Sequence, residues 1–144
     1  MSLFKQRLPL FAAALWWGSL TAIGFLVVPM LFANLETPAI AGRMAAKLFS
    51  AQTWVSLACG FLLLVMSRPR DPQETTPWPP IVMMALLAGM LLALLAEFAV
   101  APRIVMRENL ALWHSLGSGT YLLQWLCAAM VLWKLSAKEA PARG

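Results

Sequence analysis

The stretch IVMMALLAGMLLALLAEFAVA, residues 81–101, decides the fold class of this chain because it is almost purely apolar. Its one charged residue is Glu97. A helix rises about 1.5 Å per residue, so a helix over this stretch would cross a hydrocarbon core of about 30 Å. Three further long stretches, at about residues 8–33, 48–66 and 110–133, contain no Asp, Glu, Lys or Arg. The pattern predicts four transmembrane helices.

The composition agrees with a membrane protein. Of 144 residues, 61% are hydrophobic and 12% are charged, and the mean hydropathy is +0.75. These values exclude an ordinary soluble domain. We therefore predict an all-α membrane protein, a bundle of four transmembrane helices that forms one domain over residues 1–144. A cleaved signal peptide is the alternative for the first stretch, which is longer than the usual apolar region of about 7–15 residues.

Lysines and arginines near the ends of the stretches predict the orientation. Seven lie near the termini or in the segment 67–80, and four lie near the other two connections. The positive-inside rule then places both termini in the cytoplasm and makes the proline-rich residues 67–80 a cytoplasmic loop. We expect a multi-pass protein of the bacterial inner (plasma) membrane.

The net charge of +5 favours contact with anionic lipid headgroups. The basic residues are spread over both sides of the membrane rather than gathered in one patch, so no nucleic acid partner is expected. The expected partners are the lipid bilayer, a second copy of the chain in a homo-oligomer, or another membrane protein.

Glu97 is the ionisable residue that stands out, because it lies inside an apolar stretch near its outer end. A charge in the hydrocarbon region costs several kcal/mol, so such residues face the bundle interior, water or a partner. One interpretation is that Glu97 reaches water or pairs with Arg103 or Arg107. The other is that it acts with His114, at a similar expected depth, as a ligand or proton acceptor.

Polar residues also recur at helical spacing in the second and fourth stretches, entering from the same side of the membrane. With Glu97 they predict a small polar cleft open to the outside; the alternative is that they form hydrogen bonds between packed helices, where Gly117 and Gly119 allow close approach. The candidate ligand-binding residues are Gln52, Ser56, Glu97, Arg103, Arg107, His114, Ser118 and Tyr121.

No cofactor is expected, and no sequence motif of a soluble-type enzyme is present. Haem bound between helices usually needs two strong axial ligands, whereas this chain has one histidine, so haem would need a histidine–methionine pair or a homodimer. Copper would suit Met, Cys and His ligands. For a metal ion the candidate ligands are His114 and Glu97. Cys59 and Cys127 lie inside apolar stretches, where cysteine usually acts as a small apolar side chain.

Several segments together carry a family resemblance. WWGSLTAIGFLVVPMLFANL (16–35), GRMAAKLFSAQTWVSLACG (42–60), APRIVMR (101–107) and LWHSLGSGTY (112–121) resemble a bacterial family related to transmembrane protein 205, the domain of unknown function 4149. The residues that match the family pattern are Gly18, Phe25, Pro29, Lys47, Leu48, Phe49, Pro102, Arg103, His114 and Ser118.

The resemblance implies a four-helix membrane bundle and says little about activity. It links the chain to a eukaryotic relative associated with metallodrug resistance, and more distantly to copper resistance protein D and the membrane protoporphyrinogen oxidase. That oxidase's pattern requires a histidine early in the first helix, which this chain lacks.

We therefore expect an integral membrane protein, without enzymatic activity, that binds or handles a small solute or metal ion at a polar site in the outer leaflet. One alternative is a structural or assembly partner of another membrane complex. Another is a redox protein that binds haem or a quinone.

Overall fold

The computed structural model describes residues 3–68 and 78–139, which contain four long helices and no strand. Helix α1 runs through Leu3–Thr21, a π-helical segment Ala22–Val27 and Val28–Asn34; α2 is Pro38–Met66; α3 runs through Pro80–Leu95, a π-helical segment Ala96–Val100 and Ala101–Val105; and α4 is Leu110–Glu139. Each of the four is long and apolar enough to cross a membrane. The predicted fold class is confirmed; on which side of the membrane the termini lie stays a prediction.

The helices form a ring in which each packs against the two helices next to it. The α1–α2 and α3–α4 connections lie at one end of the bundle, which we call the turn end. The start of α1, the end of α2, the start of α3 and the end of α4 lie at the opposite end, which we call the terminal end. Most of the proposed cytoplasmic loop, residues 69–77, and the last residues, 140–144, lie outside the described residues.

Trp16 and two glycines organise the core of the bundle. The Trp16 side chain is fully buried, and a Cβ at Gly89 would lie 2.7 Å from its ring, so α3 can approach only because residue 89 has no side chain. Gly60 makes room for Met90 in the same way, since a Cβ there would lie 2.6 Å from Met90 Cγ. Small residues of this kind are typical of packed transmembrane helices. Large apolar side chains such as Phe61 point outward, where a bilayer would cover them.

Pro29 in α1 and Pro102 in α3 each follow a π-helical segment. The Val28 N–H bonds to the Ile23 carbonyl and the Ala101 N–H to the Ala96 carbonyl, each five residues back. Proline has no N–H and clashes with the carbonyl four residues earlier, and the wider turn before Pro29 and Pro102 relieves that clash, so each helix continues. We expected the third helix to end at about residue 101, but α3 continues to Val105, and α4 likewise extends beyond residue 133.

The α1–α2 connection shows why α2 begins well before its apolar stretch. Thr37 is the N-cap, its Oγ1 accepts a hydrogen bond of 3.3 Å from the Ile40 N–H, and Pro38 occupies the first turn. A threonine followed by proline is a strong helix start, because the side chain satisfies a free amide and proline needs none. The extra turns place Arg43 and Lys47, both exposed, on α2 near the turn end.

Candidate functional site

The π-helical segment of α3 carries Glu97 at the middle of the turn-end half of the bundle. The carboxylate is half-buried, and its Oε1 accepts a hydrogen bond of 2.7 Å from Ser50 Oγ on α2. Eight residues separate Glu97 from Val105, which corresponds to about 12 Å along a helix. Glu97 therefore lies inside the spanning part of α3 rather than at its tip.

Neither arginine of the predicted site lies within ion-pair distance of Glu97. The Arg103 guanidinium instead lies 4.6 Å from the centre of the Trp113 ring, a cation–π contact between α3 and α4. Arg107 is exposed and occupies the α3–α4 connection with a positive φ of 56°. Within residues 3–68 and 78–139, the carboxylate of Glu97 accepts a hydrogen bond from Ser50 and forms no ion pair.

Tyr121 faces α1 rather than Glu97. Its hydroxyl donates a 2.6 Å hydrogen bond to the Leu20 carbonyl, and its ring lies directly against Gly24 in the π-helical segment of α1. The same ring makes an edge-to-face contact with Phe49, with ring centres 5.3 Å apart. Phe49 immediately precedes Ser50, so α2 connects the Tyr121 contact with the Glu97 contact.

Gln52 and Ser56 belong to a separate buried network between α2 and α1. The Gln52 Nε2 donates to Ser19 Oγ at 2.9 Å and to Ser56 Oγ at 3.3 Å. Gln52 is 2% exposed, and its Oε1 has no partner among the described residues. The bond to Ser19 joins α2 to α1, whereas the bond to Ser56 lies within α2.

His114 and Ser118 both lie on the exposed side of α4. No hydrogen bond of either side chain is recorded with any described residue, and none joins His114 to Glu97. Helical spacing correctly gives His114, Ser118 and Tyr121 neighbouring positions on α4, but Tyr121 turns inward while the other two face outward. The structure thus brings together Glu97 and Ser50, and it leaves His114 apart from them.

Sequence reasoning missed Ser50, whose hydroxyl donates a hydrogen bond to Glu97. Ser50 and Gln52 are two residues apart on α2, and they face α3 and α1 respectively. A depth estimate from the helix ends could have placed Ser50 near the level of Glu97. Which serine meets the carboxylate depends on the rotation of α2, and the sequence does not reveal that rotation.

Within the described part of the chain, no group of three or more His, Cys, Asp or Glu side chains could hold a metal ion together. Cys59 and Cys127 are free thiols on different helices. A shallow apolar groove of about 510 Å³ lies towards the terminal end, between α1 and α4, and is lined by Leu10, Ala14, Trp17, Ala129, Leu132, Trp133 and Ser136. It is therefore separate from Glu97.

Comparison with known proteins gives one match. The family described as a domain of unknown function (DUF4149) matches residues 11–111, a stretch that includes both Ser50 and Glu97. No curated protein and no solved structure matches the chain.

Proposed function

The chain belongs to the family of the domain of unknown function DUF4149, and we propose that it is an integral membrane protein that binds a small cationic solute at Glu97. The hydrogen bond from Ser50 to Glu97 inside the spanning region is the observation on which this proposal rests. Four apolar helices make the chain a multi-pass membrane protein.

The chemistry of the carboxylate favours a cation. An ionised carboxylate offers about four acceptor positions, and Ser50 uses one of them. Burying the charge is costly unless hydrogen bonds and an opposite charge compensate for it. A bound cation that also donates hydrogen bonds, such as a primary ammonium group, would supply both. The solute must be small, because the carboxylate is already half-buried between α2 and α3.

The π-helical segment of α3 supports a binding role for Glu97. Such segments are rare in proteins and occur frequently at functional sites. Glu97 is the second residue of the segment Ala96–Val100. If both termini lie in the cytoplasm, as the distribution of Lys and Arg predicts, the site would open towards the outer side of the membrane.

Thermal unfolding in phosphatidylcholine nanodiscs tests the proposal. Methylammonium and sodium chloride are added at constant ionic strength, with choline chloride as the balancing salt because its quaternary nitrogen carries no N–H. We expect at least one of the two cations to raise the unfolding midpoint of the natural chain and to leave that of Glu97→Gln unchanged. Glutamine keeps an oxygen that can accept from Ser50, so the variant should fold.

Glu108→Gln is the matched control, since Glu108 is an exposed carboxylate at the turn end. The control should respond to the cation as the natural chain does. If neither cation changes the midpoint of the natural chain, or if Glu97→Gln responds equally, cation binding at Glu97 is wrong.

A further inference from the structure

The α3–α4 connection has a backbone that favours glycine where the sequence has arginine. The Glu108 N–H bonds to the Arg103 carbonyl and the Arg107 N–H to the Ile104 carbonyl, both at 3.1 Å. This pair of bonds is the Schellman arrangement, which ends a helix with one residue in the left-handed region, usually glycine. Arg107 occupies that position with a φ of 56°. A residue with a Cβ is strained there, so the backbone conformation does not explain why this position carries an arginine.

Arg103 provides a second guanidinium one helical turn earlier. Its position over the Trp113 ring fixes the flat face of the guanidinium and leaves N–H groups at its edge free to donate. Both arginines are exposed, and neither forms an ion pair with a carboxylate within residues 3–68 and 78–139. Glu108 is the acidic neighbour in the connection and is also exposed, so the local charge stays positive.

Apolar residues of the same connection place these arginines at the boundary of the bilayer. Val105 is 72% exposed and Met106 is 61% exposed, directly between Arg103 and Arg107. Two such side chains are stable when the acyl region covers them, while the arginines reach the headgroup level. Trp113 agrees with that depth, because tryptophan is enriched at the membrane interface.

We infer that the α3–α4 connection binds the phosphate of an anionic phospholipid headgroup between Arg103 and Arg107. The planar guanidinium donates paired hydrogen bonds that match phosphate oxygens. A phosphate in solution carries the same chemistry, but the exposed Val105 and Met106 favour a ligand whose acyl chains cover them. This site is independent of Glu97 and of the solute proposed above.

The test compares unfolding midpoints in nanodiscs of phosphatidylcholine alone and of phosphatidylcholine mixed with phosphatidylglycerol. We expect phosphatidylglycerol to raise the unfolding midpoint of the natural chain by a few degrees. In the Arg103→Gln/Arg107→Gly double variant, phosphatidylglycerol should leave the midpoint unchanged. Glycine suits the left-handed backbone, so the variant should unfold in pure phosphatidylcholine at a midpoint close to that of the natural chain.

The control double variant is Arg43→Gln/Lys134→Gln, which removes the same two charges from exposed positions elsewhere. It should keep most of the effect of phosphatidylglycerol. A loss equal to that of the first double variant would mean general charge attraction and would overturn the inference, as would an unchanged lipid effect in the first variant. Inorganic phosphate added to phosphatidylcholine nanodiscs should have little effect, and an equal rise would overturn the assignment to a lipid.

Discussion

The two π-helical segments of this protein lie at matching positions before a proline, and they differ at the residue that meets a neighbouring helix. In α1 and in α3 the segment is followed by a proline, Pro29 or Pro102, with a phenylalanine four residues before it. Five residues before the proline, α1 has Gly24 and α3 has Glu97. Tyr121 of α4 packs against Gly24, whereas Ser50 of α2 donates to Glu97. One backbone arrangement therefore serves close packing in the first case and holds a charge in the second.

The difference separates a structural position from a candidate functional one. The α1 segment is closed, because the Tyr121 ring covers the glycine and the hydroxyl bonds to the Leu20 carbonyl. The α3 segment is not covered in this way, because the Glu97 carboxylate is only half-buried and its contact is the hydrogen bond from Ser50. In each case the contact comes from the second helix of the other hairpin. Substitutions in α1 should thus change stability, and substitutions in α3 should mainly change binding.

The largest change in the free energy of unfolding is expected for a substitution at Gly24. A Cβ added in Gly24→Ala would overlap the Tyr121 ring, so the ring must move and its hydrogen bond to Leu20 must break. Overpacking of this kind costs about 1–3 kcal/mol. The free energy of unfolding in mixed micelles, measured by denaturant titration, should fall by that amount.

Gly42→Ala is the matched control, because no atom lies within 4 Å of a Cβ at that position. It should leave the free energy of unfolding unchanged or raise it by up to about 1 kcal/mol, since alanine favours helix. Equal effects of the two substitutions would show that the α1 segment is not closed by Tyr121.

A smaller loss in the free energy of unfolding is expected for Tyr121→Phe. The substitution keeps the ring against Gly24 and removes the hydroxyl that donates to the Leu20 carbonyl, which should cost about 1 kcal/mol. In a chain that already carries Gly24→Ala, the same substitution should cost less, because the ring is already displaced. Additive losses in this double-mutant cycle would contradict a shared contact.

The sequence predicted four spanning helices because hydropathy depends on composition, which needs no tertiary information. Thr37 and Pro38 account for the start of α2 locally, because capping involves only the first turn of a helix. The π-helical segments could not be predicted from Pro29 and Pro102 alone, because a proline can also end or kink a helix. The apolar stretch predicts a third span that ends at about residue 101, whereas α3 continues to Val105.

The candidate site was predicted in part. Glu97 stands out in the sequence because a charge in an apolar stretch needs a partner, but the identity of the partner depends on how α2 is rotated. His114 was expected beside Glu97 on grounds of depth, and the structure places it on the exposed side of α4. The depth of a residue in the membrane can be counted along its own helix, whereas the direction in which its side chain points depends on how two helices pack.

The smallest effect on stability is expected for Ser50→Ala. Interhelical hydrogen bonds within a membrane contribute about 0.6 kcal/mol on average, so loss of the bond from Ser50 to Glu97 should cost about that much. The same substitution should weaken methylammonium or sodium binding, because the carboxylate loses the donor that fixes its orientation. Ser115→Ala is the matched control, since that exposed hydroxyl bonds to the carbonyl of its own helix at Ala111. If Ser50→Ala and Ser115→Ala have the same effect on both stability and cation binding, the α3 segment holds its carboxylate without help from α2. The contrast between the two π-helical segments would then rest on Gly24 and Tyr121 alone.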